Sequence, residues 1–565
     1  MTKVFCPISR STFTDMPSKN KLTSQSMKKG KIMNYRSIIK AALIAAALSA
    51  AVPASSAWAD EPKPGGTLHL AAPYGAALKS LDPHATYNSQ DMVVSKAFHR
   101  SLYTWDSAKN APALDLAELV KTSDDGKTFT YKLFDNIYFH NGRKLTTDDV
   151  VWSYTRIMDP TKGYPGAVQV GTLVGAQEYS KGEVKEIGGI KKIDDRTFSL
   201  TFKDLVDPGT QFFEAITAIL PKEEVESGNF LSHPVGLGPF AFGDHVEGSK
   251  ISGKKFDKYY KQGKPYADAV DFTISGDNSA LDMAFRAGEL DATVLSENAY
   301  VLYKADPELS KGLIEISEVF TRHMGLNTEK KPFDDVRVRQ AINYAVDRDI
   351  IIHKLLKDKA YKATGWLPTT SPAFDKDRAP YPYDPAKAKE LLAAAGYPNG
   401  FEVTISVTEG TSSLGVLEAM MPFLKEVGIT AKAKVVDSNT LVDEMNQGSA
   451  MAWFRSAGTG PDPLTALRCF DSRISRPGCN RSAFKDPAYD AILDAASAES
   501  DPAKRIELLK KADAYIFEKA PVWFNNYNKA VVATQPWIHG VDSNVTEAAI
   551  IEVDSLWLDA NAPGR

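Results

Sequence analysis

Residues 450–470, AMAWFRSAGTGPDPLTALRCF, place Trp453, Arg455, Ser456 and Asp462 close together, with Cys469 and Cys479 just beyond. A guanidinium is a rigid fork of N–H donors that fits a carboxylate or a phosphate. Beside a tryptophan face and among Gly and Pro, which let a backbone turn sharply, it suits holding a small molecule. Each residue also has a plainer reading, Trp453 as core packing and Arg455 as one half of a structural ion pair.

Signatures of catalysis are missing. The chain has no Gly-x-x-x-x-Gly-Lys-Ser/Thr phosphate loop, no His-Glu-x-x-His helix and no Gly-x-Ser-x-Gly elbow. The nearest phosphate-loop mimic, Gly236-Leu237-Gly238-Pro239-Phe240, fails because Pro239 has no N–H to donate, and it reads as a structural loop. The nine histidines are scattered singly, without metal-ligand spacing. Asp124-Asp125, Asp148-Asp149 and Asp334-Asp335 fall at turns and helix starts, where capping explains them. A secreted hydrolase would need a nucleophile and base that no signature supplies. The expectation is a binding protein rather than an enzyme, with no cofactor and no metal.

The elements that position these residues follow from periodicity. Thr128 to Leu133 and Arg196 to Phe202 alternate as half-buried strands, and Val150, Val151, Tyr154 and Met158 recur at helical spacing. Further on, Val338, Ala341, Ile342, Ala345 and Val346 form one helix face, and Asp384-Pro385 starts another helix that Gly396 ends. Then come a strand (401–407), a helix (413–427), a strand (429–436), a helix (440–446) and a strand (450–454). This βαβαβ run predicts a parallel sheet with right-handed crossovers. Ligands in such sheets bind at loops leaving the carboxyl ends of strands, so 455–464 and its neighbour 408–413, with Thr408 and Glu409, are the candidate ligand loops. A plain connection is the other reading.

Residues 28–40 are basic, 41–52 are apolar but shorter than a membrane span, and Ala57-Trp58-Ala59 has the small-x-small pattern of a cleavage site. This predicts a cleavable signal peptide over residues 1–59 and an exported product, with translation starting at Met1, Met27 or Met33; an uncleaved anchor is the other reading. Without nine basic residues and one acid of the leader, 58 basic residues face 70 acidic ones, a net charge of about −12. Such a chain is a poor partner for nucleic acid or an anionic membrane. About 500 residues exceed what one core organises, so two or more lobes are expected. Cys469 and Cys479 can pair in an exported protein, adding roughly 3 kcal/mol at most; two quiet buried thiols are the alternative.

Several segments resemble the family-5 solute-binding proteins of ATP-binding cassette importers, which carry dipeptides, oligopeptides or nickel. They are Leu81-Asp82-Pro83-His84, residues 124–157, PVGLGPFAF (234–242), FDDVRVRQAINYAVDRD (333–349) and YDPAKAKELLAAAGYPNGF (383–401), in the family's order. The resemblance implies an α/β, hinge-connected two-lobed periplasmic-binding-protein fold of type II with an extra subdomain in the first lobe. Residues 60–325 and 520–565 would form lobe I and 326–519 lobe II, with crossings near Phe320 to Asn327 and Pro521 to Tyr527. It implies a monomer that closes on a small solute and docks on membrane permease subunits. Trp453 matches the family's cleft tryptophan and Cys469 with Cys479 its disulfide, while Tyr74, Arg322, His323 and Asn327 face the cleft by the same analogy. The aspartate that pairs with a peptide's amino group falls near Ser456, and the carboxylate-binding arginine near 408–413, where none stands. Charge-assisted bonds to buried termini are worth about 1.5–3 kcal/mol each. A dipeptide would bind poorly unless Asp462, Glu409, Arg322 or Arg455 has taken over. The ligand expected is a longer peptide, or a peptide-like or opine-like solute with an acidic group; a metal chelate is the alternative.

Overall fold

The computed structural model describes residues 61–563 except 73–76, 87, 108, 110, 409–411, 459–461, 477–478 and 543–551. The leader and its cleavage pattern, Tyr74 and Glu409 therefore lie outside the described residues. One 11-stranded sheet runs through the molecule. Its strands in the first half are β1 (Thr67–Ala72), β2 (Phe240–Val246), β3 (Lys250–Lys255), β4 (Ala269–Ile274) and β5 (Ala292–Val294). The rest are β6 (Leu313–Leu326), β7 (Ala360–Lys362), β8 (Phe401–Thr408), β9 (Ile429–Val436), β10 (Ala452–Gly458) and β11 (Val522–Thr534). The order is β9-β8-β10-β6-β11-β5-β1-β4-β3-β2, with β7 beside β11.

The βαβαβ run is present and parallel: β8 pairs with β9 from Phe401↔Ile429 to Thr408↔Val436 and with β10 at Ile405↔Ala452 and Ser406↔Trp453. Its helices are Ser413–Glu426 and Ser438–Gln447. Upstream, Asp335 caps helix Val336–Ala345 by accepting from the Arg337 N–H at 2.8 Å, and Asp384 caps helix Pro385–Ala394 through the Lys387 N–H at 2.8 Å. Asp149 joins Thr146 in a capping box on helix Thr147–Ile157. These carboxylates are committed to helix starts, worth about 1 kcal/mol apiece.

Separate cores flank the middle of the sheet. One gathers Leu68, Phe98, Tyr131, Tyr154, Phe240 and Phe272 and takes in Ile316, Ala530 and Val532. A second gathers Val338, Ile342, Leu392, Ile405 and Leu417 and takes in Met324, Leu326 and Trp523. A third, around Trp366, Phe470, Tyr489 and Leu509, takes in Val522, Phe524 and Tyr527. β6 and β11 thus anchor one end in the first-half core and the other in the second-half cores. Their antiparallel ladder is broken midway, with register shifts between Ser317 and Thr321 and between Arg322 and His323.

The loop at Gly236 and Gly238 is structural. A Cβ on Gly236 would lie 2.1 Å from the Phe98 carbonyl oxygen, and one on Gly238 2.3 Å from that of Ala97. His140 locks the loop, its Nε2 contacting the Gly238 oxygen at 3.0 Å while its Nδ1 accepts from the Gly236 N–H at 3.2 Å. That pattern requires the neutral ring, as does His84, whose Nε2 meets the Ala218 oxygen at 2.8 Å while Nδ1 faces Arg156 at 2.7 Å.

Burial lowers the pKa of His84, His140 and His323 to about 4 and that of His99 to about 3. An unfolded histidine titrates near 6.5. Above that pH both states are neutral; below it the unfolded chain takes up protons that the folded chain refuses. Stability is therefore complete above about pH 6.5 and falls as pH drops toward 4. Each such histidine contributes a slope of about 1.4 kcal/mol per pH unit. Denaturant titrations between pH 7 and pH 4.5 will show this loss, and His140→Gln will reduce the slope by about one proton whatever it does to stability at pH 7.

Candidate functional site

A crevice opens where the sheet changes direction. From β8 the chain passes outward to β9 and returns on the other side to β10, so the gap beyond the carboxyl ends of β8 and β10 is a switch point of the kind that binds ligands in α/β sheets. β8 and β10 pair only as far as Ser406 and Trp453 and then separate. Ser412, Ser413 and Val416 of the next helix, Phe454 and Arg455 of β10, and Arg322 and His323 of β6 line the space between them. β11 supplies Asn525, Asn526, Asn528 and Lys529. The volume is about 170 Å³, some ten times what one water needs.

β10 runs longer than its periodicity suggests. Residues 455–458, expected in a loop, remain in the strand because β6 pairs with them antiparallel, from Leu326↔Ala452 through His323↔Arg455 and Arg322↔Ser456 to Phe320↔Gly458. Arg455 and Ser456 are therefore held on a rigid ladder beside the broken crossing.

The structure separates the expected site residues. Arg322, His323 and Arg455 line the crevice. Ser456 stands opposite Arg322, and its buried Oγ has no hydrogen-bond partner among the described residues. Thr408 ends β8 without lining the crevice. Trp453 is 2% exposed and packs with Leu441, Met445 and Ala450, its ring flat on Gly325, so the core-packing reading describes it. Asp462, expected in the ligand loop, is the N-cap of the helix Pro463–Leu467. Its carboxylate accepts from the Leu464 N–H at 3.3 Å and from the Thr465 N–H and hydroxyl at 3.2 and 2.7 Å. The Asp-Pro pair at 462–463 is the same start signal as Asp384-Pro385. Asn327 does not reach the crevice; its amide donates to the Gly448 and Ala450 oxygens at 3.1 and 3.0 Å. Cys469 and Cys479 are joined by a disulfide with Cα atoms 4.8 Å apart.

The electrostatics are uneven. Arg322 donates from Nε to the Asn528 side-chain oxygen at 3.0 Å, and Asn528 in turn donates to Glu318 at 3.2 Å. Arg455 has no hydrogen bond or ion pair from its guanidinium among the described residues, and burial lowers its pKa. His323 packs edge-on against Trp366 at 4.9 Å; burial above all, with the nearby Arg455 and Arg481 charges, keeps it neutral with a pKa of about 4. Sequence reading missed Glu318 and the β11 asparagines. Their signal was present: three asparagines in Asn525-Asn526-Tyr527-Asn528 inside a long strand, where asparagine is disfavoured. Asn525 and Asn526 are 3% and 4% exposed, and the Asn525 Oδ1 has no partner among the described residues.

A family model described as "Bacterial extracellular solute-binding proteins, family 5 Middle" matches residues 111–473. The glutathione-binding protein GsiB of Shigella boydii serotype 4 is 28% identical over 512 residues, covering 86% of this chain and 93% of its own. The periplasmic binding protein DppA of Helicobacter pylori, solved with the peptide STSA, is 25% identical with a TM-score of 0.72, covering 88% of this chain and 98% of its own. The murein tripeptide-binding protein MppA of Escherichia coli, 22% identical with a TM-score of 0.74 and covering 88% and 98%, shares the fold. The architecture is thus the two-lobed one of the periplasmic peptide-binding proteins.

Gly325 is the position on which the Trp453 ring depends. A Cβ there would sit 2.3 Å from the buried indole. Gly325→Ala will destabilise the protein by about 1–3 kcal/mol through overpacking, measured by denaturant unfolding, and will alter tryptophan fluorescence in the folded state.

Proposed function

Because the chain belongs to the bacterial extracellular solute-binding proteins of family 5, we propose that it is the capture component of an ATP-binding cassette importer. It would take up a peptide or peptide-like solute outside the inner membrane and present it to the permease. The observation that carries this reading is the coincidence of crevice and crossing: the interruption of the β6–β11 ladder at 317–323 lies among the residues that line the cavity. A solute held there touches the strands that bend, so bending and binding are coupled. Closure acts as a switch only when the solute contacts the closed form better than the open one.

On this reading residues 60–325 with 520–565 make one lobe and 326–519 the other. Arg322 and Arg455 supply the cationic side of the site, and Glu318 an acidic counterpart. The relatives named for glutathione and solved with STSA handle peptides with free carboxylates, which supports a solute of that kind. A periplasmic location agrees with the description of the Helicobacter pylori relative.

Native mass spectrometry of protein purified without denaturation will show a bound mass that denaturation removes. Returning the released compound will shrink the radius of gyration in small-angle scattering. A protein that neither carries a small molecule nor compacts with glutathione or a library of short peptides would refute the capture reading.

On this reading one contact between the halves would support closure. Arg468, just before Cys469, pairs with Asp204 of the first half at 3.0 Å, and both are part-exposed. Exposed pairs contribute at most about 1 kcal/mol. Arg468→Ala will therefore weaken solute affinity by no more than about fivefold in calorimetry, whereas Arg455→Ala will weaken it far more.

A further inference from the structure

At the rim of the crevice an ion pair joins residues that rest on different cores. Lys359 and Glu297 both line the space, and the Lys359 Nζ lies 3.7 Å from the Glu297 Oε1. Glu297 opens the helix Glu297–Ala305, whose N-cap Ser296 accepts from the Ala299 N–H at 3.3 Å. That helix buries Ala299, Tyr300 and Tyr303 against Ala71, Val531 and Ala533 on the first-half side. Lys359 follows the turn Ile351–Leu355. Ile351 is buried in the second-half core with Val338, Ile342 and Leu417, and Leu355 and Leu356 pack against that core. The pair therefore bridges the two halves across the space proposed for the solute.

The chain in front of Lys359 has an unusual shape. Ile351–Leu355 is a π-helical turn, and Lys357 and Asp358 follow it at φ of 51° and 65°. Left-handed backbone is costly for residues with a Cβ and gathers where a segment clamps or switches. Local bonds hold it here: the Asp358 N–H donates to the Ile352 oxygen at 3.0 Å and the Lys359 N–H to the Leu356 oxygen at 2.9 Å. The Asp358 carboxylate also meets the His353 Nδ1. Directly afterwards β7 pairs with β11, from Ala360↔Asn528 to Lys362↔Asn526. Lys359 is thus fixed where the turn joins a crossing strand. Its neighbour in the lining, Lys529, is taken by Glu315 at 2.9 Å.

We propose that Lys359 and Glu297 form a latch over the crevice, a contact made when the halves close and lost when they open. This deepens the capture reading, on which the opening motion rests. The Glu297 side chain is 48% exposed and that of Lys359 12%, and ion pairs open to water are weak. The latch therefore biases the equilibrium without locking it, which leaves a solute free to enter and leave.

The test reads opening directly in protein lacking residues 1–59. Val416 lines the crevice and is buried, so a Val416→Cys thiol reacts with a labelling reagent in proportion to the open population. Cys469 and Cys479 are joined to each other and stay silent. Without solute and at low salt, Lys359→Gln and Glu297→Gln should each label about two- to fivefold faster. The double variant should label no faster than the faster single one, because the contact can be lost only once. Added sodium chloride should quicken labelling in the parent and have little effect in the variants. Parent rates in both single variants, additive effects in the double variant, or a parent thiol as reactive as in the unfolded chain would each overturn the latch. Denaturant unfolding is run on every variant, and rates that change only in step with global stability would overturn it too. Glutathione and a library of short peptides separate this from the capture reading. Faster labelling in the variants of a protein that no solute protects keeps the latch and removes capture, while protection by a solute with parent rates in the variants does the reverse.

Discussion

The rest of the structure depends on the antiparallel pairing of β6 with β11. Hydrogen bonds along this pair carry one sheet from the first-half core to the second. The pair is neither a uniform ladder nor a flexible linker. Its ends are fixed by burial of Ile316, Val532, Met324 and Trp523 in opposite cores, and its middle is freed by register shifts at 317–323. Bulges twist and bend a strand locally without dissolving it. On the capture reading, bending falls at these few residues, while packed cores on either side resist deformation.

Polarity follows from the same break. Where pairing is regular, side chains alternate into cores; where it fails, Arg322, Asn525, Asn526 and Asn528 line the crevice, and the Asn525 Oδ1 has no partner among the described residues. Buried polar groups without partners are destabilising, and a protein keeps them where something other than stability is selected. The orphaned Ser456 Oγ and Asn525 Oδ1 stand in this region.

Much of the second half was legible in the sequence. Local signals sufficed for the βαβαβ run, for the caps at Asp335 and Asp384, and for the structural role of Gly236 and Gly238. The crossing strands came from family resemblance rather than periodicity. What local pattern could not supply was the strand order β9-β8-β10, since crossovers fix handedness but not which side of β8 the chain returns to. It also ended β10 too early, because the antiparallel partner that extends it lies well over a hundred residues upstream. Asp462 was misplaced for a related reason: an aspartate before proline is a helix start wherever it stands, and proximity to Trp453 drew it toward the ligand.

Placement of charge then sets the sequence of events in capture. Arg455 lies on β10, on the second-half side, and Arg322 on β6 at the crossing. Glu318 and Asn528 sit at the crossing itself, already linked to Arg322 through the Asn528 side chain. On the proposed division into lobes, an acidic head that reaches Arg455 first gains that contact from one lobe, and the contact is the same whether the molecule is open or closed. It fixes affinity without shifting the equilibrium, because equal binding to two states moves neither. The switching free energy must come from the remainder of the solute, where it meets the crossing and the opposite lobe. Selection of the head and triggering of closure are thereby divided between different residues, which allows the far end of the solute to vary in size while its charged end stays constant.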